Sequence, residues 1–262
     1  MRRIHSGRPA RLRVAACSGA LLLAVGGVAL TQTAATAASA HSAAVKGVTV
    51  RVEGPGSTLL PATTVTLKSG SVTNDGKAAD SCSALSALGA LQDATKGDWS
   101  GTWSKSYSSY FITGIRGVNY PASASYYWAF WINNAPAAKG ACSIDPKPGA
   151  SVLFFPQYDG KSKEISSTPS VLGVSGPASV LLGKPFTLSV SRYANATGKR
   201  SAADGALVSG GGKSATTGAN GEATLAIAKA GEVTIDVSAA NSIRTEATVC
   251  VHAPGATCTA AK

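Results

Sequence analysis

Acid–base, metal and thiol chemistry in this chain of 262 residues would fall to three histidines, thirteen acidic residues and five cysteines. His5, His41 and His252 each lack a second histidine or an acidic side chain at metal-ligand spacing, which speaks against most metal sites and against histidine-based catalysis. Asp93 and Asp98 straddle the end of a helical pattern, while Asp145 and Asp159 sit in turn-rich stretches, and no spacing marks a glycosidase pair or a calcium loop. GxSxG, HExxH and phosphate-loop motifs are absent from the sequence. The expectation is a protein that is not an enzyme, with no metal and no cofactor of its own. Cys82, Cys142, Cys250 and Cys258 form an even set without CxxC spacing, which in an exported chain reads as a disulfide framework. Three pairings are open to four cysteines. Keeping each pair within one domain selects Cys82 with Cys142 and Cys250 with Cys258.

What remains is the chemistry of aromatic surfaces. Of the sixteen Phe, Trp and Tyr residues, fourteen lie between Trp99 and Tyr158, with only Phe186 and Tyr193 beyond. Any stacking or apolar ligand site therefore belongs to the first half of the chain. Over Tyr126–Ile132 the two-residue period of a strand puts Tyr126, Trp128, Phe130 and Ile132 on one face and Tyr127, Ala129 and Trp131 on the other. Trp128 and Phe130 are assigned to the core. Tyr127 and Trp131 are assigned to an open ligand face, the alternative being that both faces are covered. Trp99 and Trp103 bracket Gly101, either as a stacking platform or as a plug at the end of a sheet. Asn133 and Asn134 offer hydrogen bonds to a ligand, although a hairpin turn also accounts for them. Tyr107 and Tyr110 lie in a serine-rich stretch beside the same rim.

The elements that must position these residues fall into two groups. Val48-Thr49-Val50-Arg51-Val52 alternates as a half-buried strand, and further strands are expected at 64–67, 110–115, 126–132 and 151–155. Leu85, Leu88 and Leu91, with Ala84, Ala87, Ala90 and Ala94, predict one helix over 82–95, with Ser81 or Ser83 as its cap and Gly97 past its end. A lone helix laid across a small mixed sheet is the β-grasp solution. Residues 161–170 are polar and aperiodic and read as a linker. From 171 to 252 there is only strand pattern, at 171–174, 179–182, 185–190, 206–209, 221–227, 232–238 and 246–251, which fits an immunoglobulin-like sandwich, with a C-terminal tail at 253–262. The fold class expected is thus α+β: a β-grasp-like domain over 47–160, then an all-β immunoglobulin-like sandwich.

Residues 1–40 have the parts of an export signal: five arginines, an apolar stretch from Val14 to Leu30, and Ala38-Ser39-Ala40. Cys17 precedes most of that apolar stretch and is read as part of the discarded peptide, which leaves no membrane span in the mature chain. Those five arginines are among 24 basic residues, so 19 remain against 13 acidic ones and the formal charge falls from +11 to +6. The remaining basic residues are dispersed, without the stripe that a nucleic-acid groove requires. A secreted protein, loosely associated with an anionic cell wall at most, is the expectation.

Ser86-Ala87-Leu88-Gly89-Ala90-Leu91, Tyr110-Phe111-Ile112-Thr113-Gly114-Ile115, Tyr127-Trp128-Ala129-Phe130-Trp131-Ile132-Asn133 and Pro148-Gly149-Ala150-Ser151-Val152-Leu153-Phe154-Phe155 together resemble the transcobalamin-like C-terminal domain family of secreted bacterial proteins. The resemblance spans about residues 47 to 160. Thr217-Gly218-Ala219-Asn220-Gly221-Glu222-Ala223-Thr224-Leu225 is similar to bacterial immunoglobulin-like repeats. The first likeness implies a small α+β domain and, by analogy with transcobalamin, cobalamin as a candidate ligand. The helical domain that holds the other side of cobalamin in transcobalamin is missing here, and Asn134 stands where the family usually has glycine. The function expected is a secreted ligand-binding module with an aromatic surface, for a corrinoid or another small molecule. Its alternative is a structural or adhesive surface protein recognising a protein or wall polymer.

Overall fold

The computed structural model describes residues 45–121, 125–158 and 169–258. The expected export signal with Cys17, Asp159, most of the linker at 161–170 and the last four residues lie outside the described residues. The described residues hold together as one compact unit, which is mostly β with a single α-helix.

The first lobe is a mixed sheet. Strand β1 (Val45–Glu53) pairs antiparallel with β2 (Thr58–Leu67), and the helix α1 (Ala87–Thr95) follows. A hairpin of β3 (Trp99–Ser104) and β4 (Ser109–Ile115) comes next, then β5 (Tyr126–Ile132) and β6 (Ser151–Tyr158). β6 lies parallel to β1 and antiparallel to β5, so the sheet order is β2-β1-β6-β5, with Ala135–Pro136 at the far edge. Val48, Val50 and Val52 alternate onto the helix side and meet Leu88, Leu91, Trp128, Val152 and Phe154 in one core. Trp128 and Phe130 therefore sit where the alternation assigns them, with the Phe130 ring stacked on Phe154 at 5.5 Å.

The helix begins later than its periodicity suggests. Cys82–Ser83 pairs with Ser71–Val72 as a short ladder, and the cap is Ser86, whose Oγ accepts a hydrogen bond from the Gly89 backbone N–H at 3.2 Å. Neither Ser81 nor Ser83 caps it. Gly89 has a steric reason as well, since a Cβ there would lie 2.1 Å from the Ala84 carbonyl oxygen. Lys96, in the left-handed region at φ 57°, ends the helix.

Among its described residues the second lobe contains strands and no helix. β7 (Ser170–Ser175), β8 (Ser179–Leu181), β9 (Pro185–Tyr193), β10 (Arg200–Ala202), β11 (Leu207–Gly210), β12 (Lys213–Thr216), β13 (Glu222–Ala226), β14 (Gly231–Ser238) and β15 (Thr245–His252) form two sheets. One is β10-β9-β7 with Ser242–Ile243 at its edge and β13 also on β9; the other is β8-β15-β14-β11-β12. Leu188, Val190 and Leu225 from the first sheet pack with Val208, Ile235 and Val249 from the second, as the two facing layers of a sandwich. The short strands β10 and β12 lack an apolar alternation and were not expected from the sequence.

Both cysteine pairs are at disulfide distance, with Cα separations of 5.1 Å for Cys82–Cys142 and 5.9 Å for Cys250–Cys258. No helix among the described residues is long and apolar enough to cross a membrane. Both observations are compatible with an extracellular protein. Cys82–Cys142 closes 60 residues of chain and ties the start of the helical segment to the loop before β6. By loop-closure entropy, replacing both cysteines with serine should cost about 4 kcal/mol, against about 2.5 kcal/mol for the Cys250–Cys258 pair. Urea unfolding of the two double variants checks the order; equal losses would refute it.

Candidate functional site

The helix covers one face of the first sheet. The opposite face, with Thr49, Arg51 and Glu53 on β1, Leu153 and Phe155 on β6, and Ala129 and Trp131 on β5, meets the second lobe. Its apolar half forms a small core of its own: Ala129, Trp131, Leu153 and Phe155 pack with Val171 at the start of β7, and Tyr127, Tyr193 and Ile243 close its margin. Trp131 lies edge-on to Phe155 at 6.0 Å and is only 2% exposed. The sequence expectation placed Trp131 on an open ligand face; in the structure the second lobe covers it. The physical reason is area, because a bare face of Trp, Phe and Leu side chains is costly in water and an adjoining lobe can bury it.

The polar half of the face is held by charge. Arg51 and Glu53, two residues apart on β1, share a face by the strand period, and Arg51 Nη1 donates to Glu53 Oε1 at 2.7 Å. Arg244 reaches in from the second lobe, donating from Nη2 and Nε to Glu53 Oε2 at 3.0 and 3.3 Å and to the Gly54 carbonyl at 3.3 Å. Arg51 Nη1 donates in return to the Arg244 carbonyl at 2.6 Å, and Thr58 Oγ1 donates to both oxygens of Glu53. Glu53 is 1% exposed. A carboxylate so buried is tolerable because every lone-pair direction is filled. Burial holds the Arg51 pKa below its ordinary value, with Glu53 and Glu246 opposing that shift. Farther along, the Ala62 backbone N–H donates to Glu246 Oε1 at 2.6 Å, a second polar tie across the join.

Where the join opens, a cleft of about 310 Å³ remains. Glu53, Pro55, Tyr126 and Pro156 of the first lobe and Asn241 and Arg244 of the second are among its walls. A narrower space of about 170 Å³ lies between Arg51, Trp131, Asn134 and Glu246, and a shallow one of about 350 Å³ runs along Tyr127 beside Asn195. The carboxamide of Asn195, within the Asn-Ala-Thr sequence, donates to the Pro169 carbonyl at 2.8 Å.

The structure does not gather the sequence-derived candidates into one site. Trp131 touches two of these spaces, Tyr127 one and Asn134 one. Asn133 and Asn134 form the two-residue turn after β5, both left-handed at φ 51° and 61°, and Asn133 Oδ1 accepts from the Ser151 N–H at 2.9 Å. Trp99 and Trp103 belong to the β3–β4 hairpin and flank Tyr110 edge-on at 5.4 and 5.1 Å. Trp99 is buried in the first core and donates to Gln92 Oε1 at 2.6 Å, so it plugs the end of the layer rather than offering a platform. Tyr110 hydroxyl is bound in turn by the 73–80 loop: it accepts from the Asn74 N–H and donates toward Asp75 Oδ1 and the Asp80 carbonyl. Tyr107 at the hairpin tip is 77% exposed and Phe111 is 42% exposed. Sequence reading missed Glu53, Tyr126, Asn241 and Arg244 as wall residues. The Arg51-x-Glu53 spacing signalled a charged half-face, whereas Arg244 lies 191 positions from Glu53 and carries no local signal.

Truncating Trp131 to alanine should cost about 3 to 5 kcal/mol and Glu53→Gln a similar amount, the first through a cavity and the second through two guanidiniums left short of a counter-charge. Tyr107→Ala should change stability by less than about 0.5 kcal/mol. Denaturant unfolding checks all three; a Trp131→Ala variant as stable as the parent would refute the join. Asp75 gives a pH test. The Lys77 backbone N–H, with Thr73 and Tyr110 hydroxyls, holds its carboxyl well below the ordinary 3.8. A depressed carboxylate stabilises the loop above its unfolded pKa, and that contribution is lost as pH falls through the lower folded value. Carbon-detected NMR should therefore show Asp75 ionised when other aspartates have titrated, and Tyr110→Phe should move its midpoint upward.

No curated protein matches the chain. Residues 83–155, from just before the helix to the middle of β6, match a transcobalamin-like family described as Domain of unknown function (DUF4430).

Proposed function

We propose that the chain is an exported, non-enzymatic binding module that takes a small ligand in the cleft at the join of its lobes. The observation that carries this reading is the placement of that cleft: the face that the first lobe alone would leave bare is closed by the second lobe, and the space of about 310 Å³ sits at the margin of the closure. Export is supported by the composition of residues 1–40 and by the two cysteine pairs. We read the first lobe as β-grasp-like, from one helix across a mixed sheet, and the second as immunoglobulin-like, from its two facing sheets. We read the chain as non-enzymatic because Asp93 on the helix, Asp98 just past its end and Asp145 in the loop before β6 all lie outside the cleft, whose acidic wall residue, Glu53, is fully engaged by Arg51, Arg244 and Thr58.

The ligand implied by the transcobalamin likeness is a corrinoid. A cleft of about 310 Å³ is at the lower end of the roughly 300–1,000 Å³ of small-molecule sites, which favours a compact ligand over a corrin macrocycle. With Trp131 and Trp99 buried, stacking would fall to Tyr126 rather than to the tryptophans. A second reading, an adhesive or structural surface protein, draws on the exposed Tyr107 and Phe111 of the β3–β4 hairpin, where a protein or wall polymer would be met.

Melting of the exported, oxidised protein with cobinamide, monosaccharides, aromatic acids and solubilised wall polymer separates these readings. A compact ligand at one hundred times its dissociation constant should add about 2.7 kcal/mol, a rise of several degrees, and Tyr126→Ala should remove most of it. A shift produced by wall polymer, lost in Tyr107→Ala and kept in Tyr126→Ala, would overturn the cleft reading in favour of the second.

A further inference from the structure

We infer that the cleft at the join selects a small ligand bearing a carboxylate on a planar or apolar body, an inference that rests on the reading of the cleft as the ligand site. The balance of donors and acceptors in its walls carries this. Glu53 Oε1 accepts from Arg51 and Thr58, and Oε2 from Arg244 twice and from Thr58, so the one carboxylate among the described wall residues has nothing left for a cationic ligand. The Gly54 carbonyl accepts from Arg244 Nη2. Ser242 Oγ is engaged with Ser170, Arg192 and the Ala240 carbonyl. Setting Tyr126 aside, the side chains of these walls leave two polar groups without a hydrogen bond among the described residues: Arg244 Nη1, which can only donate, and the Asn241 carboxamide, which serves either polarity.

The Arg244 side chain is 30% exposed, and its guanidinium is already oriented by the fork it makes on Glu53. A second carboxylate meeting Nη1 therefore gains a charge-assisted hydrogen bond with little further ordering of the side chain. An ammonium group in the same place meets a guanidinium and a saturated carboxylate. The remaining walls, Pro55, Pro156, Pro169 and Tyr126, are rigid and largely apolar, which suits a flat or aliphatic body beside the acid group. Arg51, Glu53, Arg244 and Glu246 sum to zero charge, and Arg192, which donates to Ser242 Oγ, adds one positive charge beside the cleft.

Benzoate tests this, with benzyl alcohol as its neutral counterpart, by amide NMR titration of the exported, oxidised protein. Benzoate should shift the amides of Gly54, Asn241 and Arg244 and bind roughly tenfold more tightly than benzyl alcohol, and Arg244→Met should erase the difference. Because Arg244 also neutralises Glu53, Asn241→Gly is the second variant. It removes the carboxamide while keeping the left-handed backbone at φ 52°, and should weaken benzoate about threefold or more with an unchanged melting temperature. Equal binding of both probes at these amides would overturn the carboxylate inference and leave the cleft reading standing. No shift from either probe would overturn both. Benzoate affinity unchanged in Arg244→Met, or in Asn241→Gly if the former does not fold, would remove these residues from the site.

Discussion

A β-sheet has two faces, and in the first lobe both must be covered because both carry large apolar side chains. The helix covers Val48, Val50, Val52 and Phe154, while the second lobe covers Leu153, Phe155, Ala129 and Trp131. The Glu53 carboxylate, gripped by Arg51 from its own strand and by Arg244 from the other lobe, sets the register of that second cover. An ion pair of this burial contributes little net stability over apolar groups of the same shape, but it penalises any docking that leaves a partner alone. The apolar patch supplies the driving force and the charges supply the alignment.

That division of labour places the cleft. Apolar packing around Trp131 closes the middle of the join, and the charged residues stand to one side of it. Between the charges and the proline-rich margin the surfaces part, so the open space is bordered by a fixed guanidinium on one wall and by rings on the others. The aromatic wealth of the first lobe is mostly structural in consequence. Trp99 and Trp103 clasp Tyr110, Phe130 stacks on Phe154, and Trp131 meets Phe155.

Features set by near neighbours in sequence were legible. Alternation located β5 and β6 and sorted Trp128 and Phe130 inward, and the Asn133-Asn134 pair marked a turn that needs two left-handed residues. The helix was legible in its apolar spacing but not in its start, because Cys82 and Ser83 pair with Val72 and Ser71 from an earlier stretch of chain, which leaves Ser86 as the cap. The fate of Trp131 was illegible for a related reason. Alternation says that Tyr127 and Trp131 share a face, but not that Val171, Tyr193 and Ile243 arrive to cover it. The same holds for the cleft, whose walls come from stretches of chain almost two hundred positions apart.

A site at a join has a thermodynamic consequence that a site within one lobe lacks. Pro55 and Tyr126 lie on one lobe, Asn241 and Arg244 on the other, so a molecule held by all four has lower free energy only while the lobes are docked. Binding and docking are then linked: whatever strengthens the Glu53–Arg244 contact raises affinity, and occupancy strengthens the docking by the same factor. On the proposed reading the second lobe supplies Asn241 and Arg244 to the cleft and is part of the binding apparatus, not a spacer that carries the first.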